Sequence, residues 1–194
     1  MLIYLDDLIV YSNRHEEHLK YLRKVFLKCR QFGISLNPNK SQFALREGKL
    51  LGHIVSEEGV KIDPVRVEAI QKLSIPRSKK DIQSFLGKIN FVRRFISNFS
   101  ELVKHITSML RKEAKIKWIE QPTNSFEAIK KAIMEAPTLI SPNYTKGLCI
   151  FSFASYDTVG AVLLQKDEEC LDHPISFFSK TLRDVELKCD PIEK

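Results

Sequence analysis

The chain has 194 residues, of which 43% are hydrophobic, and it carries a formal net charge of +7. This length predicts one to three small units that bury their own cores. The apolar run at residues 2–11 is interrupted by Asp6 and Asp7 and has no basic leader, which argues against an export signal or a membrane span. The four cysteines are scattered without zinc spacing, so we expect an intracellular protein, cytoplasmic or nuclear, that is neither secreted nor bound to a membrane.

The first predicted element is a β-hairpin. Apolar runs at residues 2–5 and 8–11 are rich in β-branched and aromatic side chains, which favour strands, and Asp6 and Asp7 supply the polar turn between them. Two adjacent carboxylates at a hairpin tip suit a hard cation, although a solvated turn is the ordinary alternative.

A helix is predicted next, because apolar residues recur at helical spacing from Leu19 to Cys29 and Gly33 follows. Asn13 is the expected capping residue of this helix. Short strands are predicted at residues 42–45 and 49–55.

Asp63-Pro64 is typical of a helix start and predicts a helix that reaches Leu73. A second helix begins after Pro76 with a capping-box pattern at Ser78. Its predicted core face consists of Ile82, Phe85, Leu86 and Ile89. A further helix is expected around residues 102–110.

The last third of the chain predicts a helix capped by Thr123 and stopped by Pro137, followed by strands. The strands are expected near residues 148–153, 159–165 and 175–179. Such a sheet has an open edge and an uncovered face.

Positive charge is concentrated in the middle of the chain. Residues 72–117 contain twelve Lys or Arg and three Asp or Glu, a net charge of +9, so the rest of the chain is slightly acidic. A basic block of this kind is the electrostatic footprint of a phosphate-backbone partner, and a solvated helix face is the alternative.

The order of several motifs resembles the polyprotein of gypsy-type LTR retrotransposons. The motifs are Tyr4-Leu5-Asp6-Asp7, Leu51-Gly52-His53-Ile54-Val55-Ser56, Asp63-Pro64, Ser84-Phe85-Leu86-Gly87, Asn90-Phe91-Val92-Arg93-Arg94-Phe95-Ile96, Ala136-Pro137-Thr138-Leu139 and Gly160-Ala161-Val162-Leu163. The resemblance implies an α+β fragment of an RNA-directed DNA polymerase. Its expected divisions are a partial palm (1–62), a helical thumb (63–115), a connection (116–145) and a truncated ribonuclease H-like domain (146–194).

The resemblance also assigns roles to residues. It makes Asp6 a ligand of catalytic Mg²⁺ and Asp7 its less direct neighbour, while Lys40 is either a proton donor to pyrophosphate or a solvated lysine. The primer grip, which positions the primer terminus, is expected at Leu50, Leu51, Gly52 and His53. The residues expected to contact an RNA–DNA or DNA template-primer duplex are Lys79, Lys80, Lys88, Arg93 and Arg94.

Two departures from the family predict that this chain alone neither polymerises nor cleaves RNA. The partner carboxylate of the first palm strand is missing, and Phe153 stands where the ribonuclease H domain has its first metal-binding Asp. Asp157 is a weak substitute, because its side chain would have to reach back past a turn. Two alternatives to an enzyme fragment stay open, namely a non-catalytic nucleic-acid-binding module and the relic of a decayed element.

Overall fold

The computed structural model describes residues 2–4, 7–12 and 14–187, and it confirms the α+β class. The strands are β1 Leu2–Tyr4, β2 Asp7–Ile9, β3 Gly48–Leu50, β4 His53–Ser56, β5 Gly59–Ile62, β6 Cys149–Ala154, β7 Thr158–Lys166 and β8 Asp172–Thr181. The helices are α1 His15–Gln31, α2 Pro64–Gln71, α3 Lys79–Asn90, α4 Phe99–Ser108, α5 Glu120–Met134 and α6 Asp184–Leu187, with a 3-10 turn at Arg93–Phe95. The chain divides into two compact units, Met1–Leu45 and Arg46–Lys194.

The first unit contains the predicted hairpin and helix. Strands β1 and β2 pair antiparallel, with Tyr4 opposite Asp7. Helix α1 buries Val25 and Cys29, but Leu19 is 73% exposed, so the predicted apolar stripe is only partly covered. The expected cap, Asn13, lies outside the described residues.

The second unit begins with a three-stranded antiparallel sheet in the order β3-β4-β5. The predicted strand at residues 42–45 is wrong, because this segment is irregular. The predicted strand at 49–55 is two strands joined by Leu51 and Gly52, whose φ angles are 50° and 73°. Two consecutive positive φ angles make a tight hairpin turn, which an apolar run disguises in the sequence.

The helices α2 to α5 surround the main core of the second unit. On α3, Ile82, Phe85 and Ile89 are buried in it and Leu86 is partly buried, which confirms the predicted inner face of this helix. The predicted helix starts are also present: Asp63 accepts a hydrogen bond from the Val65 backbone N–H at 3.0 Å, and Ser78 forms a capping box with Asp81. The predicted Thr123 cap is wrong, because α5 already begins at Glu120.

The three predicted C-terminal strands are present, and the structure shows that they pair antiparallel in the order β6-β7-β8. Within the described residues β6 pairs only with β7, and all six of its residues are exposed, in agreement with the expected open edge. Phe153 lies opposite Gly160 in this pair, and its ring covers the space that a side chain at Gly160 would need.

Helix α4 holds this sheet through polar contacts as well as apolar packing. The Ser100 backbone N–H donates to Ser179 Oγ at 2.8 Å, and Arg93 Nη2 donates to the Ser179 carbonyl oxygen at 3.1 Å. Phe177 of β8 packs against the main core. The basic helical segment and the C-terminal sheet therefore belong to one compact unit.

Candidate nucleic-acid interface

The predicted metal-binding hairpin lies only partly within the described residues. Asp7 is exposed at the start of β2, and Asp6 lies outside the described residues. Lys40 is exposed in a turn in which its backbone N–H donates to the Asn37 carbonyl oxygen at 3.2 Å. Among the residues that the structure describes, no cluster of three His, Cys, Asp or Glu side chains is suited to a metal ion. The described donor set therefore does not fit Mg²⁺, and we derive no chemistry through it.

The predicted primer-grip residues form the β3–β4 turn. Leu50 and His53 pair across it, and Leu51 and Gly52 are its two central residues. A side chain at Gly52 would place its Cβ 2.6 Å from Nη2 of Arg66, so the turn is built around this arginine. Glycine suits this position because its φ is positive, and its missing side chain leaves room for the guanidinium.

His53 points from this turn onto the C-terminal end of α3. Its ring stacks on Phe91 at 4.7 Å between centroids with planes 16° apart, and it lies 5.3 Å from the Phe95 ring. Burial, followed by the positive charges of Arg94 and Arg66, lowers the pKa of His53 below its usual value of 6.5. His53 is therefore a neutral packing residue at pH 7 rather than a cation.

The outer face of α3 is a continuous exposed stripe. Its residues recur at intervals of three and four, which places them on one side of the helix. They are Lys80, Gln83, Ser84, Gly87, Asn90 and the capping residue Phe91. A Cβ added at Gly87 would have no atom within 4 Å. Among the described residues, no contact explains why the centre of this stripe lacks a side chain.

The five basic residues predicted to bind nucleic acid fall into two groups. Lys79 Nζ donates to the carbonyl oxygens of Arg111 and Lys112 at 2.6 and 3.3 Å, and Arg93 donates to β8 as described above. Lys80, Lys88 and Arg94 are exposed and form no ion pair or hydrogen bond within the described part of the chain. Lys80 flanks the bare centre of α3, and Lys88 directly follows Gly87.

Asp157, the weak substitute for the missing nuclease carboxylate, is engaged elsewhere. It forms an ion pair with Lys104 of α4, which also lies 3.6 Å from Glu101. The hydrogen bond from Lys104 to Asp157 raises the pKa of Lys104. Thr158 is buried and donates to Glu101 Oε2 at 3.2 Å. This network ties the sheet to α4 and occupies the carboxylate.

The sequence did not single out Arg66, Lys104 or Ser179. These residues contact Gly52 and Phe91, Asp157, and Arg93 and Ser100 respectively. Their partners lie far away in the chain, 53 residues for the Lys104–Asp157 pair and 86 for Arg93–Ser179. A single charged or hydroxyl residue on a helix or strand carries no local signal of such a contact.

Two family models match the sequence. Residues 1–55 match the reverse transcriptase (RNA-dependent DNA polymerase) family, and residues 118–194 match the RNase H-like domain found in reverse transcriptase. The Drosophila melanogaster retrovirus-related Pol polyprotein from transposon 297 is 39% identical over 100% of this chain and 18% of its own length. The transposon Tf2-3 polyprotein of Schizosaccharomyces pombe is 27% identical over 98% of this chain and 14% of its own. The chain thus spans less than a fifth of these relatives.

Solved structures share the fold. The foamy viral protease-reverse transcriptase dRH in complex with double-stranded DNA is 30% identical, with a TM-score of 0.82 over 95% of this chain and 32% of that one. The foamy viral protease-reverse transcriptase in complex with an RNA/DNA hybrid is also 30% identical, with a TM-score of 0.80 over 94% of this chain and 25% of that one. None of the helices in the described ranges is long and apolar enough to cross a bilayer.

Proposed function

We propose that this chain, a reverse transcriptase and ribonuclease H-like segment of a retrotransposon polyprotein, holds a nucleic-acid duplex along the exposed face of α3. The observation that carries the proposal is Gly87. Glycine inside a helix costs about 0.5–1 kcal/mol relative to alanine, and no contact in the described structure accounts for it here. A missing side chain lets the backbone of a ligand approach the helix closely.

The charge around Gly87 specifies the kind of ligand. Lys80 lies in the exposed stripe and Lys88 directly follows Gly87; both are exposed, form no ion pair among the described residues and belong to the block of net charge +9. Such lysines add affinity and salt dependence through phosphates without reading base sequence. Structural neighbours were solved in complex with double-stranded DNA and with an RNA/DNA hybrid, so a template-primer duplex is the proposed partner.

The test is Gly87→Ala, which separates folding from binding. We expect this variant to be as stable as the wild type or more stable by about 0.5–1 kcal/mol, since alanine favours the helix. Its affinity for a duplex of about 20 base pairs, measured by fluorescence anisotropy, should fall several-fold. Gly48→Ala is the matched control, because that glycine also has open space around it and belongs to strand β3 rather than to α3. If Gly87→Ala bound the duplex as tightly as the wild type, the proposed face would be wrong.

We extend the proposal to the intact polyprotein as a gypsy-type RNA-directed DNA polymerase. Asp6 and Asp7 are proposed as the hairpin carboxylates of its Mg²⁺ site, and the β3–β4 turn as its primer grip. The described residues do not form that metal site by themselves, so we propose that this chain binds a template-primer without extending it. Primer extension by the purified chain in Mg²⁺, abolished by Asp6→Asn, would overturn this part of the proposal.

We also propose that the C-terminal sheet serves the duplex-binding unit rather than nuclease chemistry. Phe153 has no oxygen to offer a cation, and Asp157 is paired with Lys104. A ribonuclease H assay on an RNA/DNA hybrid should show no cleavage by this chain, and hybrid cleavage lost in Asp157→Asn would contradict that role.

A further inference from the structure

An arginine of helix α2 that no sequence motif singles out, Arg66, lies against the β3–β4 turn. The guanidinium carbon of Arg66 lies 4.1 Å from the centre of the Phe91 ring, within cation–π distance. Its Nη2 occupies the space beside Gly52 that a side chain would fill. Arg66 thus bridges the start of α2, the hairpin turn and the end of α3.

No carboxylate in the described part of the chain forms an ion pair with this positive charge, although the charge of Arg66, after the hydrogen bond from Lys49, also lowers the pKa of Asp63. Neither the Arg66 nor the Arg94 side chain forms an ion pair or a hydrogen bond there. The nearby carboxylate, Asp63, pairs with Lys49 and accepts the Val65 backbone N–H instead. The two guanidinium groups lie over neighbouring rings that both contact His53, Arg66 over Phe91 at 4.1 Å and Arg94 over Phe95 at 5.6 Å. Like charges on adjacent rings repel, so an anion bound between them is stabilised.

The imidazole between these charges is also unsatisfied. Burial lowers the pKa of His53 most, and the charges of Arg94 and Arg66 lower it further. Its Nδ1 atom is buried without a hydrogen-bond partner among the described residues. An anion bound between the two arginines would instead favour the protonated form of the His53 imidazole.

We propose that Arg66 and Arg94 form a phosphodiester-binding site beside the β3–β4 turn, which holds one phosphate of a bound nucleic-acid strand. Arginine suits this ligand because its planar fork donates two parallel hydrogen bonds to phosphate oxygens. Phe91 holds the guanidinium of Arg66 in place, and Gly52 leaves it room. The inference deepens the proposed duplex-binding function and rests on it, but it concerns a different surface from the bare centre of α3.

The site is tested with Arg66→Gln in the full chain, using a 20-base-pair DNA duplex as the probe. We expect roughly tenfold weaker binding and a salt dependence lower by about one phosphate contact. Lys72→Gln is the matched control, because Lys72 immediately follows α2, is exposed and is paired only with Glu68. Equal effects of the two substitutions would overturn the site, since they remove the same net charge.

Arg66→Lys and an NMR readout distinguish phosphate binding by Arg66 from a purely structural role of this residue. The lysine variant retains the charge without the fork and should bind with intermediate affinity. In the wild type, NMR titration of the His53 imidazole should show its pKa rising when the duplex binds, and this rise should be smaller in Arg66→Gln. An unchanged His53 titration on binding would overturn the site even if affinity fell.

The two proposals fail differently. No duplex binding by the wild type would refute the proposed function and the inference together. Duplex binding that weakens in Gly87→Ala but not in Arg66→Gln would leave the function standing and overturn only the phosphodiester site.

Discussion

Gly59 is the glycine whose replacement we expect to strain the backbone most. Its φ of 130° lies in a region that other residues rarely adopt, and its Cβ would overlap the carbonyl oxygen of Leu139. That carbonyl accepts the Val60 backbone N–H at 2.7 Å, and the Leu139 N–H donates back to Val60 at 2.9 Å. This bridge fastens the segment after α5 to strand β5.

Gly59→Ala should therefore destabilise the second unit by two additive effects. Backbone strain of this kind costs about 1–3 kcal/mol, and loss of the two bridge hydrogen bonds costs about 0.5–1.5 kcal/mol each. We expect a total of about 2–6 kcal/mol, which lowers a urea midpoint by about 1–3 M for an m-value of about 2 kcal/mol/M.

The assay follows the single tryptophan, Trp118, whose indole N–H donates to the Pro76 carbonyl oxygen at 2.6 Å in the same unit. Its fluorescence reports urea unfolding of the unit that contains the bridge. Gly48→Ala is the control, since nothing lies within 4 Å of the added Cβ and its φ is not positive, so its midpoint should shift little. A wild-type midpoint for Gly59→Ala would refute the strain argument.

Three further predictions concern charge and packing. A double-mutant cycle with Lys104→Met and Asp157→Asn should give a coupling of about 0.5 kcal/mol that shrinks at high salt, because both side chains are partly solvated; zero coupling at low salt would mean that the ion pair does not fasten the sheet. The hydrogen bond from Lys49 holds the pKa of Asp63 below its ordinary value of 3.8, so its stabilisation is present above pH 4 and is lost as the pH falls through the lowered pKa. Acid unfolding curves of the wild type and Asp63→Asn should therefore converge at low pH, and parallel curves would contradict this. Phe153→Ala should destabilise the C-terminal sheet by about 0.5–1 kcal/mol, seen as a lower thermal midpoint, because the ring covers the glycine opposite it; an unchanged midpoint would show that the ring contributes nothing.

The local elements were predictable where their chemistry is short-range. The capping box at Ser78 and the Asp63-Pro64 start were confirmed because both depend on groups within a few residues. The predicted strand at 42–45 was wrong, and the turn at Leu51-Gly52 was missed as a turn, because apolar composition alone does not distinguish a strand from a loop or a hairpin corner. The roles of Asp6, Lys40 and the basic residues stay predictions.

By itself the sequence determined the α+β class, most of the helices and strands, the inner face of α3 and the concentration of positive charge in the middle of the chain, but it missed strand β5. Only the tertiary structure decided which basic residues are free. It places Arg93 and Lys79 in contacts within the fold, leaves Lys80 and Lys88 exposed, and brings Arg66 to the β3–β4 turn. The physical reason is range: hydrophobic period and capping act over a few residues, whereas the partner of a charged side chain is whatever the packed core brings beside it.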